Sequence, residues 1–281
     1  MLLEIADLSR STYYYHMHPD RQRHAARQTA RREAIEAAVL AEFDAARSRY
    51  GYRRIHEELQ KAGWKIAAKS VRGAMRDMGC VCPVRRKRRH TVQQGNAGKR
   101  APNHLRRQWA TSAPNQKWVT DITEFHLHGR VFYLAAIMDL FDRQIISYTL
   151  GSSPTVAFMN ATLNAAIETQ HPGDTLLVHS DQGFQFQHAS WQDRLVAIGA
   201  TQSMSRKGNC YDNAIIENFF GHLKEELVNH TVFPDAETFV TELHAYMAWY
   251  NTKRISLSLN GFSPVDYRSR MLAGKMISMH A

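Results

Sequence analysis

The spacing of apolar positions in the first part of the chain predicts helices. Residues 21–49 are rich in Ala, Arg, Glu and Gln and contain neither Gly nor Pro, which is typical of a helix. In residues 50–79, apolar side chains recur every three or four positions on either side of a break at Gly63. We therefore expect two short helices joined by a turn. Their apolar positions are Tyr52, Ile55 and Leu59 in the first helix and Val71, Met75 and Met78 in the second.

From Asn115 onward the pattern becomes that of a mixed α/β domain. Residues 117–125, 131–139 and 144–150 are rich in Val, Ile, Thr, Phe and Tyr and are separated by short breaks, which predicts an antiparallel meander. The order β-β-β-α-β-α-β-α predicts an α/β fold of the RNase-H-like kind, a five-stranded mixed sheet with flanking helices. The later elements are expected as helices over 154–170, 191–198, 212–228 and 236–250 and strands over 175–181 and 201–205.

Charge is distributed unevenly along the 281 residues, which together carry a net charge of +10. Residues 1–110 contain 24 basic and 10 acidic side chains, a net charge of +14, whereas the remainder has a net charge of −4. A length above the usual ~100–200 residues of one domain favours two domains. The first would bind a polyanion, and the second would be a mildly acidic globular domain.

Several classes of protein are excluded by bulk features. A hydrophobic fraction of 44% excludes a disordered chain. No apolar run approaches the ~20 residues that span a bilayer, and the start of the chain lacks the features of a signal peptide. Three cysteines without paired spacing argue against a zinc site and suit a reducing compartment. We expect a cytoplasmic, nucleoid-associated protein with no membrane partner.

The second helix predicted within residues 50–79 has a basic face, made of Lys69, Arg72 and Arg76 beside Ser70. Two short helices around a turn, with a basic outer face, suit contact with phosphates or with the major groove of DNA. An ordinary helical hairpin whose charges face solvent is the alternative. The positive charge of the surrounding sequence favours DNA.

A basic linker follows, in which apolar periodicity is lost. Residues 85–90 read RRKRRH and lead into a stretch of Gly, Asn and Gln that runs to Arg107. Such a segment can follow a phosphate backbone by charge alone, and a nuclear-localisation signal is the alternative. Its predicted DNA contacts are Arg85, Arg86, Lys87, Arg88 and Arg89.

Three carboxylates stand out because of their places in the predicted order of elements. Asp121 lies in the middle of an apolar, β-branched strand, where burial without a partner is costly. Asp181 follows a short apolar strand, where open α/β sheets have ligand sites, and Glu217 lies on a helix, on a stripe with Asn213. Clustered carboxylates repel one another unless cations separate them, and their hard oxygen atoms favour Mg²⁺ or Mn²⁺.

Each of these acids also has an ordinary explanation when it is taken alone. Asp121 could cap a turn, Asp181 could belong to any strand-exit turn, and Glu217 could be an exposed helix residue. Their combination in this order of elements favours a site.

The spacing and surroundings of these acids resemble those of a known family. Between Asp121 and Asp181 lie 59 residues, and between Asp181 and Glu217 lie 35. This is similar to the D-D-35-E signature of retroviral integrases and bacterial insertion-sequence transposases, specifically the second-reading-frame (OrfB) product. The resemblance runs from about Leu2 to Arg270, with a departure at Ile255-Ser256. The motifs are WVTDITEF, HSDQGFQF, SMSRKGNCYDNAIIENFFGHLKEE and WYNTKRISLSLNGFSPVDYRSR.

The resemblance implies a mechanism and a set of roles. Asp121, Asp181 and Glu217 would be the catalytic residues and would hold two Mg²⁺ or Mn²⁺ ions, with DNA bound, for in-line displacement at phosphorus. One ion would activate water and later a DNA 3′-hydroxyl, and the other would stabilise the leaving oxygen. His179 and Gln182 flank the second acid and would position it, although a structural hydrogen-bonding role is an equal alternative for them.

The polar loop before the helix of Glu217 is expected to border DNA. The resemblance implies phosphate or base contacts from Arg206, Lys207 and Lys224, with a solvated loop as the alternative. Asn213, one helical turn before Glu217, is expected to face the same cleft.

The resemblance also implies partners and leaves alternatives. The chain would bind the terminal repeats of its element and target DNA as a homo-oligomer, and would act with, or fused to, an upstream-frame product that carries a helix-turn-helix. A nuclease without strand transfer and a DNA-binding regulator with an inactive core are the alternatives.

The expected domains are a partial helix-turn-helix-like segment (1–20), an all-α basic helix-turn-helix domain (21–82), the basic linker (83–110), the RNase-H-like core (111–234), and a C-terminal helix and tail completing the integrase domain (235–281).

Overall fold

Two compact units make up the structure, one within Met1–Pro83 and the other within Val84–Ala281. The computed structural model describes residues 9–17, 19–83, 100–168, 175–206 and 210–274. Six of the predicted DNA contacts lie outside the described residues: Arg85, Arg86, Lys87, Arg88, Arg89 and Lys207.

The first unit is helical, as the sequence predicts. Its two short helices meet through the apolar positions that recur along the sequence, because Ile55, Leu59, Val71 and Met75 are all buried. Between them the chain turns at Gly63, whose φ of +87° is readily adopted only by glycine. The described helices are α1 (Arg10–Met17), α2 (Pro19–Ala45), α3 (Tyr52–Lys61) and α4 (Ala68–Asp77).

The second unit is built on a five-stranded mixed sheet. The strands are β1 (Lys117–Leu127), β2 (Arg130–Asp139), β3 (Ile145–Gly151), β4 (Leu177–Ser180) and β5 (Thr201–Met204). Their order in the sheet is β3-β2-β1-β4-β5. The first three strands pair antiparallel, whereas β4 is parallel to β1 and β5 is parallel to β4. This arrangement confirms the predicted RNase-H-like sheet.

Helices cover both faces of this sheet. They are α5 (Val156–Ile167), the short α6 (Phe184–Gln187), α7 (Ala189–Ala197), α8 (Ala214–Leu223), α9 (Ala236–Thr252) and α10 (Pro264–Leu272). One apolar cluster joins the sheet to α8 and α9, and the other joins it to α5 and α7. Because strand side chains alternate between faces, Val119 and Phe125 of β1 enter the first cluster and Trp118 enters the second. Asp121 lies between Val119 and Phe125 on the face that α8 covers.

The helix predicted over residues 212–228 is in fact divided. A 3₁₀ turn (Cys210–Asn213) precedes α8, and a π-helical segment (Lys224–Val228) follows it. Within the π-helical segment, Glu226 accepts hydrogen bonds from Arg254 at 2.8 and 2.5 Å and from the Tyr246 hydroxyl at 2.8 Å. An ion pair between distant residues leaves no trace in the spacing of apolar residues. The sequence therefore predicts a single helix.

The C-terminal part of the chain is tied to the sheet by a second buried ion pair. Arg268 of α10 binds Asp139 at 2.7 Å and also contacts the carboxylate of Asp142.

Residues 100–110, which fall within the predicted linker, also pack against this unit: Leu105 is buried, and Lys117 donates to the carbonyl oxygens of Gln108 and Ala110. Within the described part of the chain, no helix is long and apolar enough to cross a membrane.

Candidate active site

Asp121 and Asp181 meet because of the register of two neighbouring strands. In the parallel ladder of β1 and β4, Val119 is paired with His179. Each acid lies two residues beyond that pair, so both carboxylates leave the sheet on the same face and at the same edge. Asp181 thus follows the carboxyl end of β4, where open α/β sheets form ligand crevices, whereas β1 continues past Asp121 to Leu127.

The carboxylate of Asp121 is half-buried and carries an electrostatic cost. Burial is the largest cause that raises its pKa well above the ordinary value, and the negative charges of Asp181 and Glu217 raise it further. The N–H of Ile122, which donates to Oδ1 at 2.8 Å, and the charge of Lys224 act in the opposite direction. Negative charge on Asp121 is therefore disfavoured at this place in the fold.

Asp181 stands at the mouth of the same cleft, in contact with solvent. Burial of its carboxylate within the cleft raises the pKa of Asp181, while the N–H of Gly183 donates to its Oδ1 at 2.8 Å and limits the rise. A Cβ at position 183 would lie 3.0 Å from that oxygen and 2.9 Å from Oε1 of Gln185. Glycine at this position therefore allows the backbone to approach the carboxylate closely.

The two aspartates line a cleft of about 300 Å³. Glu124 is a further carboxylate on its wall, and it is not among the residues singled out from the sequence. Glu124 lies three residues after Asp121 on β1, a spacing that places the two side chains on opposite faces of a strand, so the alternation along β1 does not single it out. The remaining lining residues are Ile122, Thr123, Tyr133, Pro154, Gly183, Gln185 and Phe186.

Glu217 approaches from the first turn of α8. The negative charge of Glu217 raises the pKa of Asp121. Glu217 is not among the residues that line the cleft. In the described ranges, no three His, Cys, Asp or Glu side chains are close enough together to hold a metal ion. The structure thus brings Asp121 and Asp181 together and leaves Glu217 near them on the covering helix.

His179 forms a buried tie between β4 and β5. Its Nδ1 lies 2.8 Å from Oγ of Ser203, and its Nε2 lies 3.1 Å from Oγ of Ser205. Burial lowers the pKa of His179 to about 4, so the ring is neutral near pH 7. Both ring nitrogens are engaged by serines, which corresponds to the hydrogen-bonding alternative for this residue.

We expect His179→Gln to destabilise the protein more at neutral pH than at about pH 4.5. An unfolded histidine has a pKa near 6.5. Neutral His179 therefore stabilises the fold above about pH 6.5, and this contribution is lost as the pH falls towards 4. The loss is at most about 1.4 kcal/mol per pH unit. Urea unfolding of both proteins across this range measures it. A gap between wild type and variant that stays constant over this pH range would contradict this role.

The other residues predicted to support the site form cross-links between its elements. The Gln182 amide donates to the carbonyl oxygen of Ser205 at 2.9 Å, which connects the ends of β4 and β5. Asn213 donates to the carbonyl oxygen of Thr120 at 3.1 Å, directly before Asp121. Its amide oxygen is buried and has no hydrogen-bond partner among the described residues.

Two predicted DNA contacts of this unit are also placed. The Arg206 guanidinium is engaged with Asp212, donating from Nε and Nη2 at 2.9 Å each. Lys224 lies beside the site, with Nζ 5.5 Å from the centre of the Phe125 ring and its charge acting on Asp121. Asp212 is not predicted from the sequence, because two of its partners, Asn103 and Arg107, lie 109 and 105 positions earlier.

In the first unit, the predicted basic face is present on α4. Lys69, Arg72 and Arg76 are all exposed on the side of the helix opposite its buried residues. The Arg72 guanidinium lies 5.8 Å from the centre of the Tyr52 ring, and Arg76 pairs with Asp77 at 2.9 Å.

Comparison with known proteins identifies both units. A family model described as "Integrase core domain" matches residues 111–210, a second of the same description matches 217–272, and an "HTH-like domain" model matches 30–88. The catalytic core domain of HTLV-2 integrase, solved in complex with magnesium, is 16% identical, with a TM-score of 0.44 over 56% of this chain and 97% of that chain.

Relatives that align with most of this chain are described as transposases. "Putative transposase InsK for insertion sequence element IS150" of Escherichia coli (strain K12) is 36% identical over 96% of this chain and 93% of its own length. "Transposase for insertion sequence element IS904" of Lactococcus lactis subsp. lactis (strain IL1403) is 32% identical over 87% of this chain and 97% of its own length. The chain therefore belongs to the insertion-sequence transposases built on an integrase core domain.

Proposed function

We propose that this transposase cuts the 3′ ends of an insertion sequence and joins them to target DNA by metal-dependent transesterification, with Asp121, Asp181 and Glu217 as its catalytic residues. The observation that carries this proposal is the shared cleft of Asp121 and Asp181, two residues beyond an aligned pair on parallel strands. Glu217 is close enough to act electrostatically on Asp121.

The chemistry of this cleft fits a divalent cation. Burial disfavours the charged form of both aspartates, and the charge of Asp181 further disfavours that of Asp121. Their hard oxygen atoms are the ligands that Mg²⁺ and Mn²⁺ prefer. Asp121 and Asp181 would hold two such ions with DNA bound, and Glu217 would complete the set. The bound ions supply Lewis-acid stabilisation of charge at the reacting phosphorus.

The chain's own contribution is to orient these ligands. The N–H groups of Ile122 and Gly183 each hold one carboxylate oxygen, so that the second oxygen of each aspartate remains for a ligand. Lys224, next to Asp121, is suited to a DNA phosphate, and Arg206 and Lys207 are proposed as further contacts. We propose that Gln182 and Asn213 keep the strand ends and the first turn of α8 in register.

The first unit is proposed to hold the DNA. Its exposed basic helix α4 supplies Lys69, Arg72 and Arg76, and the basic segment from Arg85 to Arg89 would follow the phosphate backbone. In this division, 21–82 is the DNA-binding domain, 83–110 the connection, 111–234 the catalytic core, and 235–281 its C-terminal completion, with 1–20 as a partial helix-turn-helix-like segment.

Replacing Lys69, Arg72 or Arg76 with alanine should weaken DNA binding at every sequence and make it less dependent on salt. Removing one side chain that binds a phosphate should reduce the slope of log K against log [salt] by about 1. Gel-shift titrations at several salt concentrations measure this slope. Arg27→Ala removes an exposed arginine of α2 and is the matched control. An unchanged slope in all three variants would contradict the assignment.

The partners follow from the proposed reaction. The substrates are the terminal repeats of the element and a target duplex, and two ends must be held together, which favours a homo-oligomer on DNA. We also propose that the chain acts with, or fused to, a product of an upstream reading frame. Since chromosomal DNA is its substrate, we place the protein in the cytoplasm, at the nucleoid.

The experiment that tests this function follows a labelled donor end. Purified protein is mixed with Mg²⁺, a labelled duplex carrying one end of the element, and a supercoiled plasmid. A label joined covalently to the plasmid supports transposition. A nicked donor without joined product would identify a nuclease, and DNA binding without any cleavage would identify a regulator; either result would overturn the proposal.

A further inference from the structure

Asp212 accepts five hydrogen bonds from described residues. It lies in the 3₁₀ turn before α8 and its side chain is fully buried. Arg206 donates to it from the backbone N–H at 3.1 Å and from Nε and Nη2 at 2.9 Å each. Asn103 donates at 2.8 Å and Arg107 at 2.9 Å. These donors, Arg206 above all, hold the pKa of Asp212 well below its usual range, so the carboxylate is ionised at neutral pH.

The donors come from two separate parts of the chain. Arg206 follows β5 directly, whereas Asn103 and Arg107 belong to residues 100–110, before β1. That segment is itself fixed to β5, because the N–H groups of His104 and Leu105 donate to Oγ of Ser203 at 2.9 and 3.1 Å. Asp212 therefore joins the start of α8 both to the exit of β5 and to the segment that leads into the unit.

The connection continues from Asp212 to the proposed active site. Asn213, the next residue, is buried and donates to the carbonyl oxygen of Thr120 at 3.1 Å, immediately before Asp121. Glu217 follows five positions after Asp212, in the first turn of α8. Because Asp212 and Asn213 fix the start of the helix, they also fix the direction in which the side chain of Glu217 projects from it.

We infer that Asp212 is a positioning residue for DNA cleavage and joining, which anchors the first turn of α8 between residues 103–107 and the end of β5 and thereby sets the position of Glu217. This rests on the proposed role of Glu217. Because these five hydrogen bonds all converge on one carboxylate, removal of its charge should free the turn while the sheet keeps its structure.

Asp212→Asn tests the inference, since it keeps the shape and removes the charge. Two measurements are made on the full-length protein. Hydrogen exchange of the metal-free protein reports local opening of residues 210–218. The Mg²⁺ concentration at half-maximal joining reports the placement of the ligands. Asp139→Asn is the matched control, because Asp139 is also fully buried and bound to an arginine, on the other side of β1.

We expect Asp212→Asn to speed exchange in residues 210–218 by about tenfold or more, which corresponds to ~1.4 kcal/mol of local stability. The β-sheet should exchange as in the wild type, and the Mg²⁺ midpoint should rise several-fold. Asp139→Asn should leave both the exchange of 210–218 and the midpoint unchanged. Wild-type exchange in 210–218 of Asp212→Asn, or an equal rise in both variants, would overturn the inference.

A second variant covers the case in which Asp212→Asn does not fold. Arg107→Ala removes one of the donors and leaves those of Arg206, so it should speed exchange in 210–218 by a smaller factor. No change in this variant would overturn the inference. Failure of the proposed catalytic role is distinguishable, because an active Glu217→Gln enzyme would reject that role without altering the exchange of the metal-free protein.

Discussion

Replacing Asp121 with asparagine should abolish DNA joining and at the same time stabilise the metal-free protein. Removal of a metal-ligating carboxylate should lower the rate of strand transfer by at least about 10³-fold, or ~4 kcal/mol of transition-state stabilisation. DNA binding should be retained, because the basic helix α4 belongs to the other unit.

The gain in stability has a separate physical cause. In the metal-free protein the charge of Asp121 is disfavoured first by burial and then by Asp181. Asparagine removes that cost, so the melting temperature at pH 8 in EDTA should rise above that of the wild type. Added Mg²⁺ should raise it further in the wild type and less in the variant.

The sign of the pH dependence follows from the same shift. A carboxyl group whose pKa is higher in the folded state than in the unfolded state destabilises the fold as the pH rises through that interval. Asp121→Asn should therefore exceed the wild type in stability most at alkaline pH and least near pH 4. Thr123→Ala, on the wall of the same cleft, is the control. A melting temperature below that of the wild type in EDTA would contradict this explanation.

The second large effect is expected at the buried ion pair of Glu226 and Arg254. Both side chains are almost completely buried, with 4% and 6% exposed. Arg254→Ala would leave the Glu226 carboxylate without its bidentate partner, which costs about 3–5 kcal/mol when one member of a buried pair is removed. Urea unfolding of the full-length protein measures the change in the free energy of unfolding.

Two further variants separate charge from bulk at this position. Lys253→Ala changes the exposed neighbouring residue and should alter stability by no more than about 0.5 kcal/mol. Replacing both partners, Glu226→Leu together with Arg254→Met, should recover much of the stability, since no charge is then left unpaired in the core. An Arg254→Ala protein as stable as the wild type would show that the pair does not hold α9 to the π-helical segment.

The features that the sequence predicts well are those with local periodic signals. The helices of the first unit follow from apolar spacing at Ile55, Leu59, Val71 and Met75, all of which are buried. The five strands and their order along the chain follow from segments rich in β-branched and aromatic residues with short breaks between them. Asp121 and Asp181 could be singled out because charged residues in or after apolar strands are costly, and the register of β1 with β4 brings them to one cleft.

The features that the sequence does not predict arise from interactions between distant residues. The division of the helix over 212–228 accompanies the bonding of Glu226 to Arg254, 28 positions later. Two of the five hydrogen bonds to Asp212 come from Asn103 and Arg107, 109 and 105 positions earlier. Neither pairing leaves a periodic pattern, since an ion pair needs only proximity in the folded chain.

Glu217 and Glu124 provide the most direct test of the proposed active site. The third catalytic carboxylate is assigned to Glu217 on α8, whereas Glu124 lies on the wall of the cleft itself. Joining of a labelled donor end to plasmid DNA in Mg²⁺ is measured for Glu217→Gln and Glu124→Gln. We predict that activity falls by at least about 10³-fold in Glu217→Gln and stays within a few-fold of wild type in Glu124→Gln. An active Glu217→Gln enzyme together with an inactive Glu124→Gln enzyme would contradict the assignment.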